Sequence, residues 1–222
     1  IIKKFYLFCL LFFVSQHMTI YSQTIPQTGQ QVAHYSFLGN TDDQSGNSYN
    51  GTISGNPALT TDRFGNANSA YSFDGIDDWI DFGDAIIPTA RGGASTDPFT
   101  ISVWAKSSNS STQDLVAYGG QHCTVRPMVI RLGTNLNFNS CGNGYNTSSG
   151  GAHNDNVWHH WVFTWNGSNQ RSVFKDGVLQ STNNASGVFN IQSKGLVLGR
   201  RFLDLSGGTL FNGSADELRL WE

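Results

Sequence analysis

Oxygen-bearing side chains offer this chain its first chemistry. The loop Gly39-Asn-Thr-Asp-Asp-Gln-Ser-Gly-Asn47 mixes acids, amides and turn formers. A calcium ion takes about six to eight oxygens, and Asp43 and Asn47 are candidate ligands for one. The loop is not an EF-hand, because the twelfth residue counted from Asp43 is Ser54, where that motif needs a bidentate glutamate. The same residues also suit an Asx-turn that holds no metal.

A second acidic run, Phe73-Asp-Gly-Ile-Asp-Asp-Trp-Ile-Asp-Phe82, carries Asp74, Asp77, Asp78 and Asp81. It suits either a catalytic or metal cluster, or a hairpin turning at Asp74-Gly75 with Trp79, Ile80 and Phe82 packing. The alternation favours the hairpin. His159 and His160 sit among Trp158, Trp161 and Trp165; neighbours on a strand face opposite sides, so the two cannot line one site. Only two acids are glutamates, Glu217 and Glu222, both in the last six residues. There is no Gly-x-Ser-x-Gly elbow and no His-Glu-x-x-His. Glycoside hydrolysis usually needs two carboxyl groups flanking the scissile bond, and no pair stands out. A non-catalytic role is expected.

The elements that must position these residues read as strands. The 222 residues include 25 glycines, with 13% aromatic and 13% charged residues and a net charge of −3. No basic patch suits a nucleic-acid partner, and composition argues against a helical bundle or disorder. Strands are expected near 32–37, 69–73, 79–82, 99–106, 114–118, 128–132, 136–139, 158–165, 171–175, 196–198 and 215–221. Asn166-Gly167 and Asp176-Gly177 mark tight hairpins, because such pairs supply positive φ. The expected fold class is all-β, one two-sheet antiparallel β-sandwich or jelly roll.

Lys3 and Lys4 precede the apolar run 5–14, and 15–23 turns polar. That is the layout of a secretory signal peptide, too short for a bilayer span of roughly 20 residues. The expected organisation is a signal peptide over 1–22, a lead-in over 23–31 and one domain over 32–222, secreted or extracellular; a signal anchor is the alternative for the first segment. The chain opens with Ile1 and stops after a strand-like run, so a fragment is expected. Cys9 lies in the leader. Cys123 and Cys141 remain and are expected to form a disulfide, which contributes about 3 kcal/mol by loop closure; two free thiols are the alternative.

Several runs then carry a family resemblance. Val157-Trp-His-His-Trp-Val-Phe-Thr-Trp-Asn-Gly167 with Arg171-Ser-Val-Phe-Lys-Asp-Gly-Val-Leu179 resembles the laminin-G-like domains of the concanavalin A-like jelly rolls. Asp43–Asn47 with Asn50-Gly-Thr52, Phe73–Ile80, Phe99–Lys106 and Phe211–Trp221 match in order. The resemblance implies two curved antiparallel sheets, often with a structural calcium ion, for which Asp216 would join Asp43. Glycanases on this fold share a Glu-x-Asp-x-(x)-Glu strand that this sequence lacks.

The expected function is a binding module. Its variable surface is segment 118–156, rich in Gly, Asn and Ser. Tyr118, His122, Arg126, Arg131, Tyr145, His153 and Asn154 are the candidate contacts: a sugar takes an aromatic face against its apolar side and amides or guanidinium at its hydroxyls. The partner expected is a glycan, or an extracellular or surface protein, with no membrane insertion of the mature domain. A protein-binding adhesion module and a polysaccharide-active enzyme are the competing readings.

Overall fold

The computed structural model describes residues 29–86, 98–119, 128–133, 136–140, 143–149, 153–184, 195–201 and 209–222. The expected signal peptide, His122, Arg126, Cys123 and Cys141 lie outside these residues. Among them the chain first forms β1 (Gln31–Tyr35), β2 (Thr52–Ser54), β3 (Ala58–Thr60), β4 (Ala70–Asp74) and β5 (Trp79–Asp81). Then follow β6 (Phe99–Lys106), β7 (Gln113–Tyr118), β8 (Met128–Leu132), β9 (Leu136–Ser140) and β10 (Asn143–Ser149). The last five are β11 (His159–Trp165), β12 (Arg171–Lys175), β13 (Val178–Asn183), β14 (Leu196–Leu198) and β15 (Asn212–Trp221). The one helical turn described is a 3-10 turn at Asp84–Ile86.

Two sheets result. The eight-stranded sheet runs β13-β12-β11-β6-β15-β4-β3, with β1 added beside β15. The seven-stranded sheet runs β10-β9-β8-β7-β14-β5-β2. Every strand pairing is antiparallel. This is the expected jelly-roll sandwich.

Alternation along the strands builds the core. On β6, Phe99, Ile101, Val103 and Ala105 are buried in it; on β11 the core residues are Trp161, Phe163 and Trp165. Rings of the opposite sheet meet them: Phe138 lies 5.8 Å from Phe163, and Tyr118 lies 5.6 Å from Phe99, between centroids. Side chains out of phase with the core, such as Trp104 and Lys106, are only partly buried and stand on the outer face of the eight-stranded sheet.

Three features differ from the sequence expectation. β2, β3 and β10 were not expected; β10 reads Asn-Gly-Tyr-Asn-Thr-Ser-Ser, whose turn formers hide a strand paired only at one edge. The Asp74–Trp79 turn is no hairpin, since β4 belongs to one sheet and β5 to the other. Asp78 anchors this crossing, accepting the N–H groups of Asn56 and Asp74 at 2.7 and 3.0 Å. The Asp176-Gly177 hairpin has both residues at positive φ, as expected. After Asn166, however, the connection is longer, and the Asn166 side chain accepts the N–H groups of Ser168, Asn169 and Gln170.

The long strand β15 touches β4 and β6 at its start and β6 and β1 towards its end. A register shift against β6 falls between Asp216 and Arg219, where Glu217 adopts φ 52°. That is a β-bulge, one extra residue on the bulged strand. Just beyond β15, the Glu222 N–H donates to the Gln30 carbonyl at 3.1 Å. A Cβ placed on Gly29 would meet the Glu222 oxygen at 2.0 Å.

Gly213 is needed at the β15–β6 contact, because an added Cβ would lie 2.3 Å from the Lys106 carbonyl oxygen and 2.6 Å from the Phe211 ring. Gly213→Ala is expected to destabilise the fold by about 2 kcal/mol through overpacking, read as a lower midpoint in urea unfolding. An unchanged midpoint would contradict this packing.

Candidate functional site

The loop that carries Arg63 and Phe64 is set by one carboxylate. Asp62 is buried and accepts the N–H groups of Phe64 and Asn66 at 2.8 and 2.9 Å, and the Asn66 amide at 2.9 Å. Gly65, at φ 91°, closes the turn. Burial raises the Asp62 carboxyl, but the Asn66 and Phe64 donors outweigh it and hold the group below its ordinary value. The turn therefore delivers two adjacent side chains with opposite fates: Arg63 folds back onto the sheet, and Phe64 stays 72% exposed.

On the outer face of the eight-stranded sheet, His160, Trp104 and Asp216 lie in cross-strand register on β11, β6 and β15. His160 stacks on Trp104, centroids 5.1 Å apart and planes 21° apart. Arg63 pairs through Nη1 with Asp216. Its guanidinium carbon lies 5.0 Å from the Trp104 ring and 4.3 Å from the Phe64 ring. Because β6 runs between β11 and β15, Trp104 is held between His160 and Arg63, and Phe64 covers Arg63 from the loop. Such cation–π contacts are worth roughly 0.5–2 kcal/mol each.

Burial moves the titrations of this stack. It pushes the Asp216 carboxyl up to about 6, the pull of Arg63 notwithstanding. It pushes the His160 imidazole down, so the ring stacked on Trp104 is neutral at pH 7. Glu217 is held below its ordinary value, because the Arg219 guanidinium and the hydrogen bond with His34 outweigh its burial; His34 Nε2 lies 3.0 Å and Arg219 Nη2 2.8 Å from its carboxylate.

The opposite wall is the segment before β11. Asp155 accepts the Val157 N–H at 3.0 Å, and Asn156, at φ 61°, donates its N–H to the Ser107 carbonyl at 3.0 Å. His159 ties this segment to the Asp176 turn: Nδ1 lies 2.7 Å from Asp176, and Nε2 lies 3.2 Å from Asp155. Trp158 carries the Lys106 ammonium 5.0 Å from its ring. Between the walls lies an open groove of about 480 Å³, lined by Arg63, Phe64, Trp104, Asn156, Val157 and Trp158.

None of these six was among the candidate contacts, although Asn156 closes the segment 118–156 expected to be variable. The usable signal was phase: Trp104 and Lys106 alternate with the core positions of β6, so a large aromatic stands on the polar face. The expected contacts fall elsewhere. Tyr118 is fully buried, with its hydroxyl 2.6 Å from a Glu222 carboxylate oxygen, and cannot face a ligand. His153 is buried with its ring 5.3 Å from Trp161. Arg131, on the other sheet, pairs through Nε with buried Asp114 at 2.6 Å. Tyr145 lies on β10, and Asn154 is partly buried just before the groove wall.

A laminin G family model, described as the concanavalin A-like lectin/glucanases superfamily, matches residues 74–222. The chain belongs to that superfamily. The superfamily match covers the blocks from Asp74 onward, while the Asp43 loop lies ahead of it. Among solved structures, domain 4 of AbnA, an extracellular GH43 arabinanase from Geobacillus stearothermophilus solved with arabinotriose, is similar at TM-score 0.67 and 21% identity, covering 87% of this chain and 93% of that one. A structure of botulinum neurotoxin type C, whose cell entry depends on interaction with two ganglioside molecules, is similar at 0.61 and 14%, covering 86% and 47%. The binding domain of Paraclostridial Mosquitocidal Protein 1 is similar at 0.58 and 15%, covering 86% and 48%. This chain thus spans about half of either toxin chain. At such identities the likeness is one of fold. No curated protein sequence matches the chain.

The structure allows the calcium expectation to be tested against its donors. Asp43 accepts the His34 and Ser45 N–H groups on one oxygen, and the Tyr49 N–H and Ser45 hydroxyl on the other. Four donors fill a carboxylate's acceptor positions. The Asn47 amide donates to the Val32 carbonyl at 2.9 Å. Asp216 faces Arg63 and shares none of the partners found for Asp43. As placed, Asp43, Asn47 and Asp216 do not fit one calcium ion. The carboxylates of Asp74, Asp77 and Asp78 do approach within 4.8 Å of one another, but the bonds found there are those of the turn: Asp78 anchors it, and Asp74 accepts the Ile76 N–H at 2.7 Å.

Two outcomes follow. Asp43→Ala is expected to cost about 2 kcal/mol, since it strands donors that now meet a charged acceptor, whereas chelator is expected to leave the wild-type melting temperature unchanged. A chelator-induced drop that Asp43→Ala abolishes would restore the ion. Arg63→Met removes the cation that faces Asp216. A carboxyl with a raised folded pKa contributes stability below its unfolded pKa and loses it as pH rises through the folded value. The Arg63→Met deficit should therefore widen from pH 5 to pH 8, reaching roughly 3 kcal/mol; a deficit independent of pH would break the link.

Proposed function

We propose that this domain is a secreted, non-catalytic binding module that holds carbohydrate in the groove between the Arg63–Phe64 turn and the Asn156–Trp158 segment. The observation that carries the reading is the exposed Phe64 ring, stacked over a fixed guanidinium at the mouth of an open groove. A sugar ring takes such a face against its apolar side, while guanidinium and the Asn156 amide suit its hydroxyls. The arabinotriose complex of the similar arabinanase domain and the ganglioside dependence of the similar toxin support carbohydrate as the ligand class. Binding without chemistry fits the use of the carboxylates nearby: Asp216 pairs with Arg63, Asp155 with His159, and Asp62 holds the turn. Among the described residues no helix is long and apolar enough to cross a membrane.

Titration calorimetry with arabinotriose, alongside a glycan array, tests the reading. Phe64→Ala is expected to weaken every glycan bound by about tenfold, the loss of one stacking contact, while the melting temperature falls by only a few degrees, the loss of the Arg63 contact at an otherwise exposed ring. Failure on all glycans combined with binding to a purified surface protein would replace this reading with an adhesion module. Polysaccharide cleavage abolished by an aspartate substitution would replace it with an enzyme.

A further inference from the structure

We propose that the groove selects carboxylated sugars: a uronate-bearing glycan whose carboxylate meets Arg63 and Lys106 while a sugar ring lies on Phe64. This rests on the reading of the groove as a carbohydrate site and adds charge selection to it.

The sign of the groove opposes that of the chain. The net charge is −3, yet none of the six lining residues is acidic and one is Arg63. Lys106 adds a second cation beside Trp158, and no carboxylate lies within ion-pair distance of its ammonium among the described residues. The acids nearest in sequence already have partners. Asp62 accepts from Phe64 and Asn66, Asp155 meets His159, and the Asp216 side chain is 2% exposed against Arg63. Arg63 is shared between Asp216 and the nearby Asp62, and Lys106 is the cation left without an acid among the described residues.

Arg63 is also set up geometrically. Nη1 is engaged with Asp216, whereas Nε and Nη2 have no acceptor among the described residues. These two donors form one edge of the planar guanidinium, and that edge matches a carboxylate in a bidentate pair. Stacking between Phe64 and Trp104 fixes the plane of the group, so less side-chain freedom is lost on binding. A neutral sugar can accept the same hydrogen bonds but leaves the Lys106 charge unneutralised. Among the anions that a sugar ring itself carries, the planar carboxylate lies flat against such an edge.

The test compares trigalacturonate with the neutral galactotriose of the same linkage, by calorimetry at low and high salt. The acid is expected to bind at least about tenfold more tightly, with the preference shrinking as salt screens it. Lys106→Gln is expected to remove much of the preference and leave galactotriose affinity within about twofold. Arg63→Gln should remove more, but it also strands Asp216, so the lysine variant keeps the test valid if that protein unfolds. Equal affinity for the two sugars would overturn charge selection and leave the carbohydrate reading standing. So would a preference untouched by Lys106→Gln and by a folded Arg63→Gln. Binding of a sulfated trisaccharide in place of trigalacturonate would overturn the carboxylate assignment, and failure of every sugar would overturn both readings.

Discussion

Asp216 sits on a central strand with its side chain 2% exposed, and Arg63 is the cation that meets it. An unpaired charge at that depth is costly, and losing either partner of a buried pair leaves the other stranded. The pair therefore decides where the Asp62–Asn66 turn docks. Once Arg63 is drawn to Asp216, its guanidinium lands beside Trp104 and its neighbour Phe64 is left at the surface. The groove exists because one buried carboxylate on β15 fixes a loop that lies 153 residues away in sequence but beside it in space.

The bulge at Glu217 makes this arrangement possible. With one extra residue in β15, Asp216 and Arg219 both stand opposite outer-face residues of β6, Trp104 and Ser102. Glu217 then reaches His34 on the neighbouring strand as well as Arg219. The non-glycine positive φ there is the local cost, and two separate ion-pair groups on one sheet face are what it supports. Elsewhere the aspartates follow a common pattern: Asp43, Asp62, Asp74, Asp78 and Asp155 each accept backbone N–H groups of a turn. Acids bound in this way have little acceptor capacity left for an ion or a proton.

Fold was legible because strand alternation and ring-rich core positions repeat over many elements; β6, β8, β12 and β14 have the bounds that the sequence suggested. The short strands β2 and β3 escaped because three residues, with Ile53 and Leu59 left exposed, are too few to carry a periodicity. The site was far less legible. Tyr118 and His153 looked like surface contacts within a Gly- and Asn-rich stretch, but strand phase turns Tyr118 inward and Trp161 packs on His153. Arg63 and Trp104 are forty residues apart in order yet 5.0 Å apart across the sheet face, and no local pattern encodes that meeting. Residue types told the chemistry of the turns; only the pairing of β6 with β15 told which turn would hold a groove.

The contact between Gly29 and Glu222 bears on how the molecule could be rewired. Entry to β1 and exit from β15 lie side by side, joined by the bond from Glu222 to the Gln30 carbonyl. The path of the described chain is then close to a ring. A short peptide bridging those two points would close it with little loop entropy, and the exposed Asn166–Gln170 connection offers a place to reopen it. The order of strands along the chain would change while every sheet neighbour stayed the same.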